Sequence, residues 1–170
     1  MLKVFTFRCI NRLMITDLKI DLLKSEVDAI GHCTNCFCTM GGGVAKQIKD
    51  KFPDAFDADF HTKVGDKSKL GSFSVGTITQ SKVKTSIKYV YNLYGQYCYG
   101  TDSRKLNYEA IYTSLELMKT DCLSKPIRDI GFPKNMGCAL AGGTWDIVES
   151  MIRNVFYDDE FSVYICEYTK

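Results

Sequence analysis

Apolar and polar positions recur along the chain with two periods, one typical of strands and one typical of helices. Runs rich in Val, Ile, Phe, Tyr and Thr predict strands over residues 4–9, 13–20, 27–33, 73–79, 87–94, 128–132 and 161–168. Val44, Ile48 and Phe52 recur every four residues and predict one face of a helix, which Pro53 ends. The same reasoning predicts helices over residues 56–63, 108–122 and 145–156.

The order of these elements predicts the fold class. Strands come first, then strand–helix units whose later strands are separated by helices, which favours an α/β fold. We expect a three-layer α/β/α sandwich around a mixed, largely parallel sheet with right-handed crossovers. The chain has 170 residues, no internal repeat and no Gly/Ser-rich linker, so we expect a single domain over residues 1–170.

Composition excludes several classes of protein. Hydrophobic residues make up 45% and charged residues 25%, which excludes wholesale disorder. The net charge of +2 gives no strong nucleic-acid signal. No apolar run approaches the ~20 residues that span a bilayer, so no membrane partner is expected. The first residues show no export signal, and we expect a cytoplasmic protein whose eight cysteines are reduced thiols.

Four potential metal ligands lie close together at His32, Cys33, Cys36 and Cys38. A zinc site is therefore an alternative interpretation of this stretch. Structural zinc sites generally take two ligand pairs from separated segments, and no clear second pair accompanies this set. We therefore expect no metal and no cofactor.

Two glycine-rich loops each follow a predicted strand and precede a predicted helix. They comprise residues 41–43 and residues 137–143. Glycine lets a ligand approach the backbone, and a helix N-terminus favours an anion. Neither loop has the spacing of a P-loop or of a dinucleotide fingerprint. One such loop alone could be a tight packing turn, but two at the carboxyl edge of one sheet predict a diphosphate site.

A third loop, residues 92–104, lies between them in sequence and carries aromatic, glycine and polar residues. Together with Asp21-Leu22, residues 28–45, residues 107–110 and residues 137–145, it resembles the signature segments of macrodomains, which are ADP-ribose-binding modules. The resemblance runs from about residue 15 to residue 168. It is closest to a compact subgroup that processes ADP-ribose 1″-phosphate.

The resemblance implies a role for individual residues. Asp21, with Leu22 beside it, would accept a hydrogen bond from the adenine amino group, and Asn35 would contact the distal ribose. Tyr164 and Tyr168 are both candidates to stack on adenine. The residues expected to border the distal ribose and the phosphates are Gly41, Gly42, Gly43, Val44, Gln96, Gly137, Cys138, Ala139, Leu140, Ala141 and Gly142.

The resemblance leaves three activities open: phosphatase, ADP-ribosyl hydrolase and non-catalytic binder. The related glycohydrolase carries a lysine and an aspartate where this chain has Gln96 and Ala141, which weakens that mechanism. His32 resembles the histidine of phosphatase-type members, and it would stabilise the transition state or protonate the leaving oxygen. We therefore expect a phosphatase acting on ADP-ribose 1″-phosphate, with His32, Asn35 and Asp102 as candidate catalytic residues.

Overall fold

The computed structural model describes residues 15–158 and 160–168 of the chain. The predicted strand over residues 4–9 and the first two residues of the strand over 13–20 lie outside them. The strands are β1 (Ile15–Leu18), β2 (Ala29–Asn35), β3 (Phe73–Thr77), β4 (Tyr89–Gln96), β5 (Asp129–Pro133) and β6 (Ser162–Cys166). The α-helices are α1 (Gly43–Lys51), α2 (Pro53–Phe60), α3 (Tyr108–Leu123) and α4 (Trp145–Val155). Two short 3₁₀ turns cover Leu22–Lys24 and Lys67–Lys69.

The strands form one sheet in the order β1-β6-β5-β2-β4-β3. Every neighbouring pair is parallel except β3 and β4, which are antiparallel. A largely parallel sheet is buried on both faces, because its crossover connections place helices there. The predicted mixed α/β sandwich is confirmed.

Two apolar layers cover the sheet. On one face α3 and α4 pack through side chains such as Ile111, Leu115 and Ile152. On the other face α1 and α2 pack Ile48, Phe52 and Ala55 against strand residues. The predicted apolar stripe of α1 is thus confirmed at Ile48 and Phe52, which are fully buried.

The predicted element boundaries need small corrections. Pro53 ends α1 as predicted, and it also occupies the first turn of α2, where its missing N–H costs no hydrogen bond. Both β2 and β4 continue two residues beyond their predicted ends, to Asn35 and Gln96, which pair with each other after a β-bulge. No helix in the described residues is long and apolar enough to cross a membrane.

Candidate functional site

A cleft of about 550 Å³ lies at the carboxyl ends of β2, β4 and β5. This is the edge where open α/β sheets bind ligands. The residues that line it are 32–35, 39–45, Gln96, 99–101, 133–137 and 139–141. Both predicted glycine loops contribute to it, so the structure brings together segments that are about a hundred residues apart in sequence.

The three glycines at 41–43 belong to a longer connection, residues 36–43, which is called the first glycine loop from here on, and Asn35 holds it in shape. The Asn35 side chain accepts a hydrogen bond from the backbone N–H of Phe37 and donates one to Thr39 Oγ1, both at 2.8 Å. Two non-glycine residues of the loop, Cys38 and Met40, have left-handed φ angles of 56° and 38°. Asn35 therefore shapes the loop in addition to lining the cleft.

The second glycine loop, residues 137–143, closes on itself and faces the first. The backbone N–H of Gly143 donates to the carbonyl of Gly137 at 3.0 Å, and Gly137 has a left-handed φ of 71°. The Leu140 side chain lies so close to Gly42 that a Cβ there would be 2.8 Å from Leu140 Cδ1. The two loops thus meet across the cleft, and α1 and α4 begin directly after them. Gly43, Val44 and Ala45 at the N-terminus of α1 line the cleft, and the N–H groups of that helix end give it a positive potential.

His32 lines the cleft from inside β2, and its ring is buried. Its Nε2 lies 2.7 Å from Asn92 Oδ1. The Asn92 amide nitrogen already donates to the carbonyl of Ala55 and to Ser74 Oγ, so Asn92 Oδ1 is the acceptor and His32 Nε2 the donor. Nδ1 then carries a lone pair, and it has no hydrogen-bond partner among the described residues. Burial lowers the pKa of His32 to about 4.

This environment changes the role expected for His32. With a pKa of about 4, roughly one ring in a thousand is protonated at pH 7. The expectation of a cationic or proton-donating histidine therefore needs correction. A bare Nδ1 accepts a hydrogen bond, so its partner is a water or a hydroxyl and not a phosphate oxygen. Thr34, two residues along the same face of β2, also lines the cleft and has an Oγ1 without a partner in the described part of the chain.

The cleft carries little charge. The residues that line it in the described ranges include no aspartate or glutamate, and they include one lysine, Lys134, whose Nζ pairs with Glu167 at 3.0 Å. Backbone amides in a lining without carboxylates suit an anionic ligand. Within the described residues no three His, Cys, Asp or Glu side chains converge as a metal site would require.

Several other predicted site residues lie at the edge of this arrangement. Asp102 is absent from the cleft lining; its side chain is 78% exposed and pairs with Lys105 at 2.9 Å. Asp21 caps a 3₁₀ turn by accepting from the backbone N–H of Leu23 at 3.0 Å, and Leu22 is buried. Neither Asp21 nor Leu22 lines the cleft. Cys138 and Gly142 lie in the second glycine loop without lining the cleft.

Comparison with known proteins identifies the family. A sequence model of the Macro domain matches residues 32–152. The chain belongs to the Macro domain family. An "Uncharacterized 17.5 kDa protein in tk-vs intergenic region" of Enterobacteria phage T4 is 31% identical over 86% of this chain and 90% of that protein. "ADP-ribose glycohydrolase OARD1" of Homo sapiens is 32% identical over 84% of each chain. The macrodomain of Mycobacterium tuberculosis DarG superposes with a TM-score of 0.72 at 19% identity, covering 92% of this chain and 99% of that one.

Within this macrodomain the two candidate adenine-stacking tyrosines differ in position. Tyr164 donates its hydroxyl to Asp129 Oδ1 at 3.2 Å, and Asp129 is the first residue of β5. The Tyr164 ring therefore points to the amino end of the sheet, opposite the cleft. Tyr168 follows the carboxyl end of β6 and is 64% exposed. Of the two tyrosines, Tyr168 therefore remains the candidate to stack on adenine.

Among the polar residues that sequence reasoning missed are Thr34 and Lys134, which line this macrodomain cleft, and Asn92, which lies behind it and bonds to His32. Thr34 lies at the i+2 position from His32, so the period of a strand could have placed both on one face. Lys134 directly follows β5, where a ligand-facing residue is expected. No local pattern could have predicted that Asn92 bonds to His32, because this contact depends on the register of β2 and β4 and on a carbonyl of α2.

Alkylation of the thiols near this cleft is expected to follow burial. Burial raises the pKa of Cys33 to about 12 and that of Cys36 to about 11, and the thiolate is the reactive form. At pH 7.5 we expect iodoacetamide to modify the partly exposed Cys98 well before the buried Cys36, as measured by peptide mass spectrometry. Equal rates at Cys36 and Cys98 would contradict the burial of Cys36. Because Cys33 lines the cleft, ADP-ribose should slow its modification further.

Proposed function

We propose that this macrodomain binds ADP-ribose in the cleft and hydrolyses the terminal phosphate of ADP-ribose 1″-phosphate. The proposal rests on one observation. Two glycine loops, each followed by a helix, form the sides of a cleft, and the described residues that line this cleft include no carboxylate. ADP-ribose 1″-phosphate bears phosphate groups at two places, so a carboxylate-free lining with free backbone N–H groups suits it.

The second glycine loop would bind the diphosphate through the backbone N–H groups of residues that line the cleft, among them Ala139, Leu140 and Ala141. The first glycine loop would border the distal ribose. The 1″-phosphate would then lie toward the floor of the cleft, which His32 and Thr34 line. Among the described residues their Nδ1 and Oγ1 atoms have no hydrogen-bond partner, and both atoms are enclosed.

In this proposal a water molecule enclosed beneath the substrate donates to His32 Nδ1 and bonds to Thr34 Oγ1. In the reaction this water adds to phosphorus, the bond from phosphorus to the ribose oxygen breaks, and a proton of the water ends on that oxygen. The products are ADP-ribose and inorganic phosphate. Because the pKa of His32 is about 4, its ring orients the water and does not retain the proton.

The alternative is an ADP-ribosyl hydrolase, since a human relative carries the name ADP-ribose glycohydrolase. The two positions expected to hold its lysine and aspartate are Gln96 and Ala141. In this chain Gln96 donates to the carbonyl of Cys98 at 3.1 Å, and Ala141 is buried. An amide and a methyl group supply neither a nucleophile nor a base, so the phosphatase is favoured over that route.

The test follows phosphate release from ADP-ribose 1″-phosphate. We expect turnover by the unaltered chain and a loss of at least about tenfold in kcat for His32→Ala, with calorimetric affinity for ADP-ribose kept within about twofold. His61→Ala is the matched control, because His61 is exposed and bonds only to a carbonyl of its own helix. Tight binding of ADP-ribose without release of phosphate would reduce the function to binding alone. Release of ADP-ribose from a modified protein would favour the alternative.

A further inference from the structure

Lys69 is a buried lysine behind the first glycine loop. It ends the 3₁₀ turn Lys67–Lys69, and only 8% of it is exposed. Its Nζ donates to the carbonyl of Cys36 at 3.1 Å and to Cys38 Sγ at 3.3 Å. A lysine is almost never buried without a partner, so an ammonium in this place indicates a specific role for its contacts.

Residues of two other elements, α2 and β4, stabilise the positive charge of Lys69. Asp59 of α2 is fully buried, and its Oδ1 lies 3.8 Å from Lys69 Nζ. The hydroxyl of Tyr94 in β4 donates to the same oxygen at 2.7 Å, and the ammonium lies 4.5 Å from the centre of the Tyr94 ring. The ammonium is thus fixed against a helix and a strand of the rigid core, and from there it bonds to the loop.

The first glycine loop has an unfavourable backbone conformation that depends on contacts such as those of Lys69. Left-handed φ angles at Cys38 and Met40 are unfavourable for residues with a Cβ, and they persist only where surrounding contacts impose them. Cys38 Sγ lies 3.1 Å from the carbonyl of Asp59 and 3.4 Å from Thr62 Oγ1, in addition to its contact with Lys69. The residues that follow, 39–43, are the part of the loop that lines the cleft.

From these contacts we infer that Lys69 is a positioning residue for the part of the ligand beyond the diphosphate. The inference rests on the proposed function, in which the first glycine loop borders the distal ribose. Loss of the ammonium removes one of the two hydrogen bonds to the carbonyl of Cys36, which also accepts from the backbone N–H of Gly65, and it removes one of the three polar contacts of Cys38 Sγ. With fewer contacts to impose it, the left-handed conformation of the loop relaxes. The second glycine loop has no hydrogen bond with Lys69 among the described residues, so we expect binding of the adenosine diphosphate part to change much less than binding of the distal ribose.

The experiment compares ADP-ribose with ADP, which lacks the distal ribose, and measures for each ligand the change in affinity between the variant and the unaltered chain. Lys69→Met keeps an apolar stem of similar length and removes the charge. We expect calorimetry to show affinity for ADP-ribose lowered about tenfold and affinity for ADP changed less than about twofold. Lys67→Met, on the exposed side of the same turn, is the matched control and should change neither affinity.

A second variant separates positioning from folding. Lys69→Met leaves the Asp59 carboxylate buried and unpaired, which destabilises a protein strongly. The double variant Asp59→Asn/Lys69→Met removes both charges and should retain a cooperative thermal transition while still losing affinity for ADP-ribose selectively. Unchanged affinity for ADP-ribose in both variants, or equal losses for the two ligands, would overturn the inference. If the unaltered chain fails to bind ADP-ribose, the proposed function itself fails, and that result is distinct from failure at Lys69.

Discussion

Gly76→Ala is expected to lower the free energy of unfolding by about 3 kcal/mol, at the upper end of the usual cost of overpacking. Gly76 lies in β3 beneath α2, and a Cβ there would be 2.6 Å from Ala55 Cα and 2.8 Å from the Asp54 carbonyl oxygen. These are backbone atoms of a helix, so no side-chain rotation relieves the contact. The helix would have to move away from the strand, and the carbonyl of Ala55 that orients Asn92 would move with it.

Urea unfolding followed by circular dichroism measures this effect. Gly41→Ala is the control, because a Cβ at Gly41 meets no atom within 4 Å and Gly41 is exposed. The control should remain within about 0.5 kcal/mol of the unaltered chain. If the two alanine variants unfold at the same urea concentration, the close packing of α2 on β3 is wrong.

Local patterns were sufficient to predict most of the elements. The four-residue spacing of apolar residues before Pro53 predicted α1, since a helix buries one face and proline cannot continue it. The two glycine loops were correctly placed at one edge of the sheet, because parallel strands bring their carboxyl ends together. The ends of β2 and β4 were wrong by two residues, because strand length depends on partner strands and not on local sequence.

The chemistry of the site was harder to predict, and His32 shows why. Placed at a strand end, it was expected to face the ligand with a titrating ring. The strand in fact continues to Asn35, the ring is buried, and Asn92 fixes its tautomer. No sequence pattern predicted that Lys69 is buried, and the physical reason is the same. Its burial comes from contacts with a helix, a strand and a loop that are distant in sequence.

The burial of His32 has a measurable consequence for stability at acid pH. Its pKa is about 4 in the folded chain and has its ordinary value of 6.5 when exposed. Between these values the unfolded chain binds the proton more readily, so falling pH favours unfolding. The contribution is fully present above pH 6.5 and is lost as the pH falls through about 4. From 1.36 kcal/mol per pKa unit, the loss is about 3 kcal/mol.

The measurement is the free energy of unfolding from pH 7 to pH 4 for the unaltered chain and for His32→Gln. Glutamine keeps an N–H donor for Asn92 and does not titrate, so its curve should lack the acid-dependent loss. Burial also raises the pKa of Asp59, and a raised carboxyl pKa makes stability fall as the pH rises, opposite to the effect of His32. Both chains contain Asp59, so its contribution cancels in the difference between their free energies of unfolding. His61→Gln should follow the unaltered chain, because His61 is exposed. If the two curves of free energy against pH were parallel, the pKa of His32 would be the same in the folded and unfolded chain. His32 would then be largely protonated near pH 6, and the proposed neutral ring that accepts from a water would be excluded at that pH.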